Sequence, residues 1–70
     1  MANPAILIVE DESPIVNYLT TILETQDYRP ISTGSGRGGL SLAASHSPEL
    51  VLLDLGLPDM DGVEFIRALR

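Results

Sequence analysis

The sequence predicts an α/β fold built on a small parallel sheet. Two aliphatic runs without polar alternation, residues 5–9 and 50–53, are typical of parallel strands buried on both faces. The segments between and after them carry apolar residues at helical spacing or lie beside turn residues. The resulting order, β-α-β-α-β-α, predicts a parallel sheet whose crossover connections are right-handed.

The first helix is predicted to begin at Ser13 as the N-cap, with Pro14 at the first helical position. An apolar stripe on one face supports this helix and consists of Ile15, Leu19, Ile22 and Leu23. We expect the helix to end near residues 26–27, where the apolar spacing stops.

The second strand and the second helix have weaker signals. Residues 28–33 predict a strand at the edge of the sheet, because Pro30 removes one hydrogen-bond donor from the ladder. The glycine-rich segment 34–39 is predicted to be a flexible loop. It leads into a short helix over residues 40–44, which we expect to end before Pro48.

The last helix is expected over residues 63–70, directly after Gly62. A three-stranded sheet of this kind would leave one long parallel edge unpaired, and natural proteins normally cover such edges. We therefore expect residues 1–70 to be the front part of a larger domain, or a second copy of the chain to cover the edge.

Composition excludes several classes of protein. The chain has 70 residues, ten acidic residues, four arginines and no lysine, and its net charge of −6 argues against direct contact with nucleic acid. Disulfides and cysteine-bound metals are excluded because there is no cysteine, and a single histidine disfavours zinc. The apolar runs are too short to cross a membrane, and no signal peptide is visible. We expect a soluble, cytoplasmic domain.

Acidic residues follow both strong strands. Asp54 comes directly after residues 50–53, and the acidic run 10–12 comes directly after residues 5–9. The carboxyl ends of parallel strands meet at one edge of an α/β sheet, where ligands normally bind. Converging carboxylates would repel one another without a cation, and Mg²⁺ prefers oxygen ligands. The sequence therefore predicts a divalent cation beside a reactive carboxylate.

Each of these acids also has a simpler interpretation. Residues 10–12 could favour the dipole at a helix N-terminus, and Asp54 could be an N-cap or an Asx-turn residue. Two strands that both end in acids favour the cation site instead. Asp59 and Asp61 are interpreted as solvated loop residues, with Asp61 a candidate turn former. His46 is expected to be an exposed residue near a helix end.

A dinucleotide-binding half-domain is a remote alternative. Gly34, Gly36 and Gly39 satisfy the pattern G-x-G-x-x-G, and Asp54 lies 20 residues after Gly34 (54 − 34), where such a fold places its ribose-binding acid. The strand before these glycines is weakly apolar, however, and contains Pro30. This alternative also leaves the first acidic run unexplained.

Three stretches together resemble the receiver domain of bacterial two-component response regulators: residues 6–12, 50–54 and 57–62. The resemblance covers all 70 residues in order and corresponds to about the first half of a family domain. It implies a flavodoxin-like (CheY-like) parallel sheet with flanking helices. The strand order would be 2-1-3 in the part present, with two further strands beyond it, so the domain over residues 1–70 would be incomplete on its C-terminal side.

The resemblance also implies a role for each acid. Asp54 matches the phospho-acceptor. Glu10 and Asp11 match the acid pair of the family, in which the second acid binds Mg²⁺ directly and the first often acts through water. The main-chain carbonyl of Gly56 would complete the protein's share of the metal ligands. The Thr or Ser and the Lys that the family carries after its fourth and fifth strands would lie beyond residue 70.

The function implied by the resemblance is a phosphorylation-dependent signalling switch rather than an enzyme. A sensor histidine kinase would donate the phosphoryl group. The output partner outside this chain would be a DNA-binding domain that regulates transcription, or another protein. Residues 54–58 and 62–67 are similar to regulators with a winged-helix output domain, notably those of potassium transport. The other hypothesis is an interaction or assembly fragment without phosphotransfer, which would dimerise through the exposed sheet edge.

Overall fold

The computed structural model describes residues 3–70, which form three strands and three helices in alternation. The elements are β1 (Ala5–Val9), α1 (Ser13–Thr25), β2 (Arg29–Thr33), α2 (Gly36–His46), β3 (Leu50–Leu53) and α3 (Gly62–Leu69). β1 pairs in parallel with β2 on one side and with β3 on the other. The predicted strand order, 2-1-3, is confirmed.

β1 is the central and most deeply buried strand. All five of its residues are buried, and Leu7, Ile8 and Val9 have no exposed surface. Because successive side chains of a strand point to opposite faces of the sheet, β1 is covered on both faces. This burial explains why its sequence is a continuous aliphatic run.

One apolar cluster joins the sheet to two helices. Phe65 of α3 is fully buried and packs with Leu7 and Val9 of β1 and with Leu57 of the loop after β3. Half-buried side chains surround this cluster: Ile31, Leu40, Leu42, Ala43, Val51, Leu53 and Met60. The core therefore holds β1, α2, α3 and the β3–α3 loop together, whereas α1 contributes no buried residue.

The prediction of a flexible loop over residues 34–39 is wrong, because α2 begins at Gly36. Ser35 is its N-cap, and the Ser35 hydroxyl accepts a hydrogen bond from the Gly38 N–H at 3.0 Å. The helix continues to His46, two residues beyond the predicted end. Glycine weakens a helix only by about 1 kcal/mol relative to alanine, so tertiary contacts can override it.

Close packing explains why a glycine stands in this helix. A Cβ atom at Gly39 would lie 2.8 Å from Phe65 Cε2 and 2.8 Å from Val9 Cγ2. Both neighbouring side chains are fully buried, so neither can move aside into solvent. α2 therefore approaches β1 and α3 more closely than any residue with a side chain would allow.

The start of α1 differs from the prediction by one residue. The N-cap is Glu12, not Ser13, and the Glu12 carbonyl accepts the first helical hydrogen bonds from the N–H groups of Ile15 and Val16. Pro14 lies in the first turn, where its missing N–H is not needed. The Glu12 side chain makes no capping hydrogen bond.

The remaining boundaries are close to those predicted. α1 ends at Thr25, β2 begins at Arg29, and α3 covers Gly62–Leu69. Asp61, predicted as a solvated loop residue, is exposed but is also the N-cap of α3. It forms a capping box with Glu64: the Glu64 N–H donates to Asp61 Oδ1 at 2.8 Å, and the Asp61 N–H donates to Glu64 Oε1 at 3.4 Å.

Within residues 3–70, none of the helices has the length and apolar character needed to cross a membrane.

We predict that Gly39→Ala destabilises the protein by about 1–3 kcal/mol, because the added methyl group overpacks the contact between α2, Val9 and Phe65. Urea denaturation measures this change. Ser41→Ala, at an exposed position of the same helix, is the control and should alter the free energy of unfolding by less than about 0.5 kcal/mol. A Gly39→Ala protein as stable as the wild type would contradict the packing argument.

Candidate functional site

The carboxyl ends of β1 and β3 lie side by side and carry the acids. Val9 pairs with Leu53, and the Asp54 N–H donates to the Val9 carbonyl at 2.9 Å. Glu10 and Asp11 follow β1 directly. Glu10, Asp11 and Asp54 each offer one carboxylate oxygen, and these oxygens all lie within 4.8 Å of one another. Parallel pairing thus brings together acids that are far apart in the chain.

The end of β2 supports the acid pair from the other side. The Glu10 N–H donates to the Thr33 carbonyl at 3.0 Å, and a Cβ atom at Gly34 would lie 3.7 Å from the Asp11 Cα. An open cleft of about 290 Å³ adjoins the pair and includes Asn17 in its lining. The carboxylates are therefore held by backbone contacts and remain accessible to a small ion.

The surroundings of Glu10 change its pKa. Burial raises the pKa of the half-buried Glu10 above its usual value, and the nearby carboxylates of Asp54 and Asp11 raise it further. A hydrogen bond from the Glu12 N–H to Glu10 Oε2, at 3.2 Å, acts in the opposite direction and only partly offsets these effects. The folded protein therefore holds negative charges close together at this edge.

The donor set fits a hard divalent cation. All three side chains offer oxygen, which Mg²⁺ prefers. Opposite ligands of Mg²⁺ lie about 4.2 Å apart, since each Mg–O distance is about 2.1 Å. The separation of up to 4.8 Å between these oxygens is slightly wider, and small side-chain rotations would close the difference. The roles of Glu10, Asp11 and Asp54 as ligands stay a prediction.

The loop after Asp54 begins with a tight turn. The Gly56 N–H donates to Asp54 Oδ1 at 3.0 Å, an Asx-type turn that orients the carboxylate. Leu57 is buried and fixes the loop to the apolar core. The Gly56 carbonyl, predicted to bind the metal, belongs to this turn, and that role also stays a prediction.

Asp59 has a contact that the sequence did not reveal. Interpreted above as a solvated residue, it is exposed, but its Oδ1 accepts from the Gly36 N–H at 2.7 Å and its Oδ2 from the Arg37 N–H at 3.0 Å. These two hydrogen bonds lower the pKa of Asp59. The partners lie 23 and 22 residues earlier in the chain, so no local pattern could have indicated them.

The same hydrogen bonds argue against the dinucleotide alternative. A pyrophosphate group would need the free N–H groups at the start of α2. Asp59 already accepts from those of Gly36 and Arg37, and the Met60 side chain packs against Gly36. His46 is exposed at the end of α2, as predicted, and its Nδ1 lies 2.8 Å from the Ser45 hydroxyl.

Comparison with known sequences gives a consistent result. The sequence model of the response regulator receiver domain matches residues 6–70. The KDP operon transcriptional regulatory protein KdpE of Escherichia coli (strain K12) is 51% identical over 65 residues, which are 93% of this chain and 29% of KdpE. The cell cycle response regulator CtrA of Brucella ovis is 35% identical over 65 residues, which are 93% of this chain and 28% of CtrA.

Solved structures agree with the sequence comparison. A response regulator receiver domain (CheY-like) from Methylobacillus flagellatus superposes with a TM-score of 0.90 at 28% identity, over 97% of this chain and 58% of that one. The BeF3-activated N-terminal receiver domain of Klebsiella pneumoniae RstA gives a TM-score of 0.88 at 32% identity, over 94% of this chain and 56% of that one.

The chain thus spans less than a third of the length of these curated relatives and just over half of the length of these solved receiver domains. The predicted flavodoxin-like (CheY-like) fold and the predicted family are both confirmed. This chain belongs to the response regulator receiver domain family.

Proposed function

We propose that the protein is a phosphorylation-dependent signalling switch in which Asp54 accepts a phosphoryl group from a phosphohistidine of a sensor histidine kinase. The observation that supports this proposal is the convergence of Glu10, Asp11 and Asp54 at the carboxyl edge of a receiver-domain sheet. Receiver domains of response regulators are regulatory domains. Any phosphotransfer by this one would be directed to its own side chain.

The proposed reaction forms an acyl phosphate on Asp54. A carboxylate oxygen of Asp54 attacks the phosphorus, the new P–O bond forms, and the P–N bond of the phosphohistidine breaks. The electron pair of that bond remains on the imidazole nitrogen. The hydrogen bond from the Gly56 N–H holds the Asp54 carboxylate in a fixed orientation for this attack.

Glu10, Asp11 and Asp54, with the Gly56 carbonyl, would hold Mg²⁺, and Glu10 would act through a water molecule. When bound, the cation neutralises negative charge on the carboxylates and on the phosphoryl oxygens. The cleft beside Asp11 gives the ion access from solvent.

We propose that the output is a DNA-binding domain outside this chain that regulates transcription in the cytoplasm. KdpE is a transcriptional regulatory protein by name, CtrA is a response regulator by name, and both extend well beyond the matched region. The net charge of −6 supports an output that does not use this segment to contact DNA.

Asp54→Asn should abolish incorporation of base-labile phosphate from acetyl phosphate in the presence of Mg²⁺, because the amide lacks the nucleophilic oxygen. Intact-mass measurement detects the added phosphoryl group, and EDTA should prevent labelling of the wild type. Glu12→Gln is the matched control, since Glu12 is a neighbouring acid outside the converging group. Unchanged labelling of Asp54→Asn would refute the assignment of the acceptor.

Glu10 should give the stability of the metal-free protein a distinctive pH dependence. The pKa of Glu10 is higher in the folded protein than in the unfolded chain. Protonated Glu10 therefore stabilises the folded protein at pH values below its ordinary pKa. The contribution is lost as pH rises through the raised pKa. Glu10→Gln should therefore unfold at a higher temperature than the wild type near neutral pH without Mg²⁺.

The measurement is thermal denaturation from acid to neutral pH, with and without Mg²⁺. Mg²⁺ should reverse the order of the two proteins, because the wild type gains more from binding the ion. If the unfolding temperatures of the wild type and Glu10→Gln change identically with pH in the absence of Mg²⁺, the raised pKa of Glu10 is contradicted.

A second candidate function is self-association through the free edge of the sheet. Within residues 3–70, the outer edge of β3 pairs with no strand, and Leu50 on β3 is 53% exposed. An exposed apolar edge strand is a template for pairing with another chain. A dimer would cover this edge without any phosphotransfer.

If this candidate is correct, analytical ultracentrifugation should show a dimer that Leu50→Lys converts to monomer, because an edge lysine opposes strand pairing. Leu55→Lys is the control: Leu55 is also an exposed leucine but lies in the β3–α3 loop rather than on the edge. A monomeric wild type, or equal dissociation by both variants, would rule out the edge as the interface.

A further inference from the structure

We propose that Asp59 is a positioning residue for the metal and acceptor site, because it ties the loop that carries Asp54 to the N-terminus of α2. This inference rests on the proposed function of that site. It concerns an exposed acid outside the converging carboxylates, one whose two carboxylate oxygens accept hydrogen bonds from backbone N–H groups of a distant element.

Two contacts join the β3–α3 loop to α2 at adjacent residues. Asp59 accepts hydrogen bonds from Gly36 and Arg37 at 2.7 and 3.0 Å, with one carboxylate oxygen to each N–H. The next residue, Met60, packs so closely against Gly36 that a Cβ atom there would force the Met60 side chain to move. A charged acceptor at a helix N-terminus is favourable, since the helix dipole adds to the two hydrogen bonds.

The start of α2 is in turn connected to the acid pair. The Thr33 carbonyl accepts from the Glu10 N–H, and the Ser35 N–H donates to the Thr33 hydroxyl at 3.5 Å. Gly34 lies against Asp11. The segment from the end of β2 to the first turn of α2 therefore contacts both parts of the site: Thr33 and Gly34 adjoin the acid pair, and the first turn of α2 binds Asp59 of the acceptor loop.

This arrangement fixes the distance between ligands from different strands. Glu10 and Asp11 are held by the ends of β1 and β2, whereas the Gly56 turn belongs to a loop that leaves the sheet after Asp54. Leu57 anchors that loop to the core on its inner side, and Asp59 anchors it laterally to α2. Loss of the lateral anchor would allow the Gly56 carbonyl to move away from the acid pair.

The test compares Mg²⁺ affinity, measured by isothermal titration calorimetry, in the wild-type full-length protein, Asp59→Ala, Asp59→Asn and Asp61→Ala. Asp59→Ala should raise the dissociation constant for Mg²⁺ about tenfold, the effect typical of losing a residue that supports a metal ligand. Asp59→Asn should fall between Asp59→Ala and the wild type, because its amide oxygen can still accept one of the two hydrogen bonds.

Asp61→Ala is the matched control. It removes the same charge from the same loop and also removes a helix cap, but the cap serves α3, which directly follows it. Its Mg²⁺ dissociation constant should stay within about twofold of the wild type, because an exposed charge outside the site is strongly screened. Thermal denaturation of the variants shows whether loss of stability alone could account for weaker binding.

Nuclear magnetic resonance gives an independent readout. Mg²⁺ should shift the amide resonances of Gly36 and Arg37 in the wild type and in Asp61→Ala, although neither residue is a proposed ligand. The shifts should be lost in Asp59→Ala and reduced in Asp59→Asn. If Asp59→Ala does not fold, the titration of Asp59→Asn decides the question.

Three outcomes would overturn the inference. Unchanged Mg²⁺ affinity in both Asp59 variants would show that the anchor does not position the site. If Asp61→Ala weakens Mg²⁺ binding as much as Asp59→Ala does, the effect of Asp59 comes from its charge or from overall stability and not from positioning the loop. No Mg²⁺ binding by the wild type would refute the proposed function, and this inference with it. The wild-type titration alone distinguishes that result from the other two.

Discussion

Parallel pairing of β1 with both of its neighbours organises the sheet and the candidate site. It places the ends of all three strands at one edge of the sheet, so Glu10, Thr33 and Asp54 become neighbours. The same pairing buries β1 on both faces, which requires a continuous aliphatic strand. The charged residues can therefore begin only where β1 ends, and that position is the candidate site.

The site combines electrostatic repulsion with a rigid frame. Burial and the nearby carboxylates together raise the pKa of Glu10, and the frame that holds these acids consists largely of backbone hydrogen bonds. Side chains alone would move apart to relieve such repulsion. A frame of this kind favours a bound cation, because folding has already brought the acids together and binding does not have to supply that free energy.

The glycines at the start of α2 connect the core to the site. Gly39 lets the helix lie close to Phe65 and Val9, and Gly36 makes room for Met60 beside the Asp59 anchor. A segment that looks flexible by composition is thus packed tightly between the apolar core and the acceptor loop. Its low helix propensity is offset by the Ser35 cap and by these tertiary contacts.

The sequence was sufficient to predict the class of fold, because continuous aliphatic runs and acids at their ends are local features of the chain, and its resemblance to receiver domains supplied the strand order and the family. It also placed Glu10, Asp11 and Asp54 at one sheet edge. The start of α2 and the contacts of Asp59 became visible only in the folded molecule. The hydrogen bonds of Asp59 and the packing of Gly36 and Gly39 join residues more than 20 positions apart, and no local propensity reports such contacts, whereas the Ser35 cap is local.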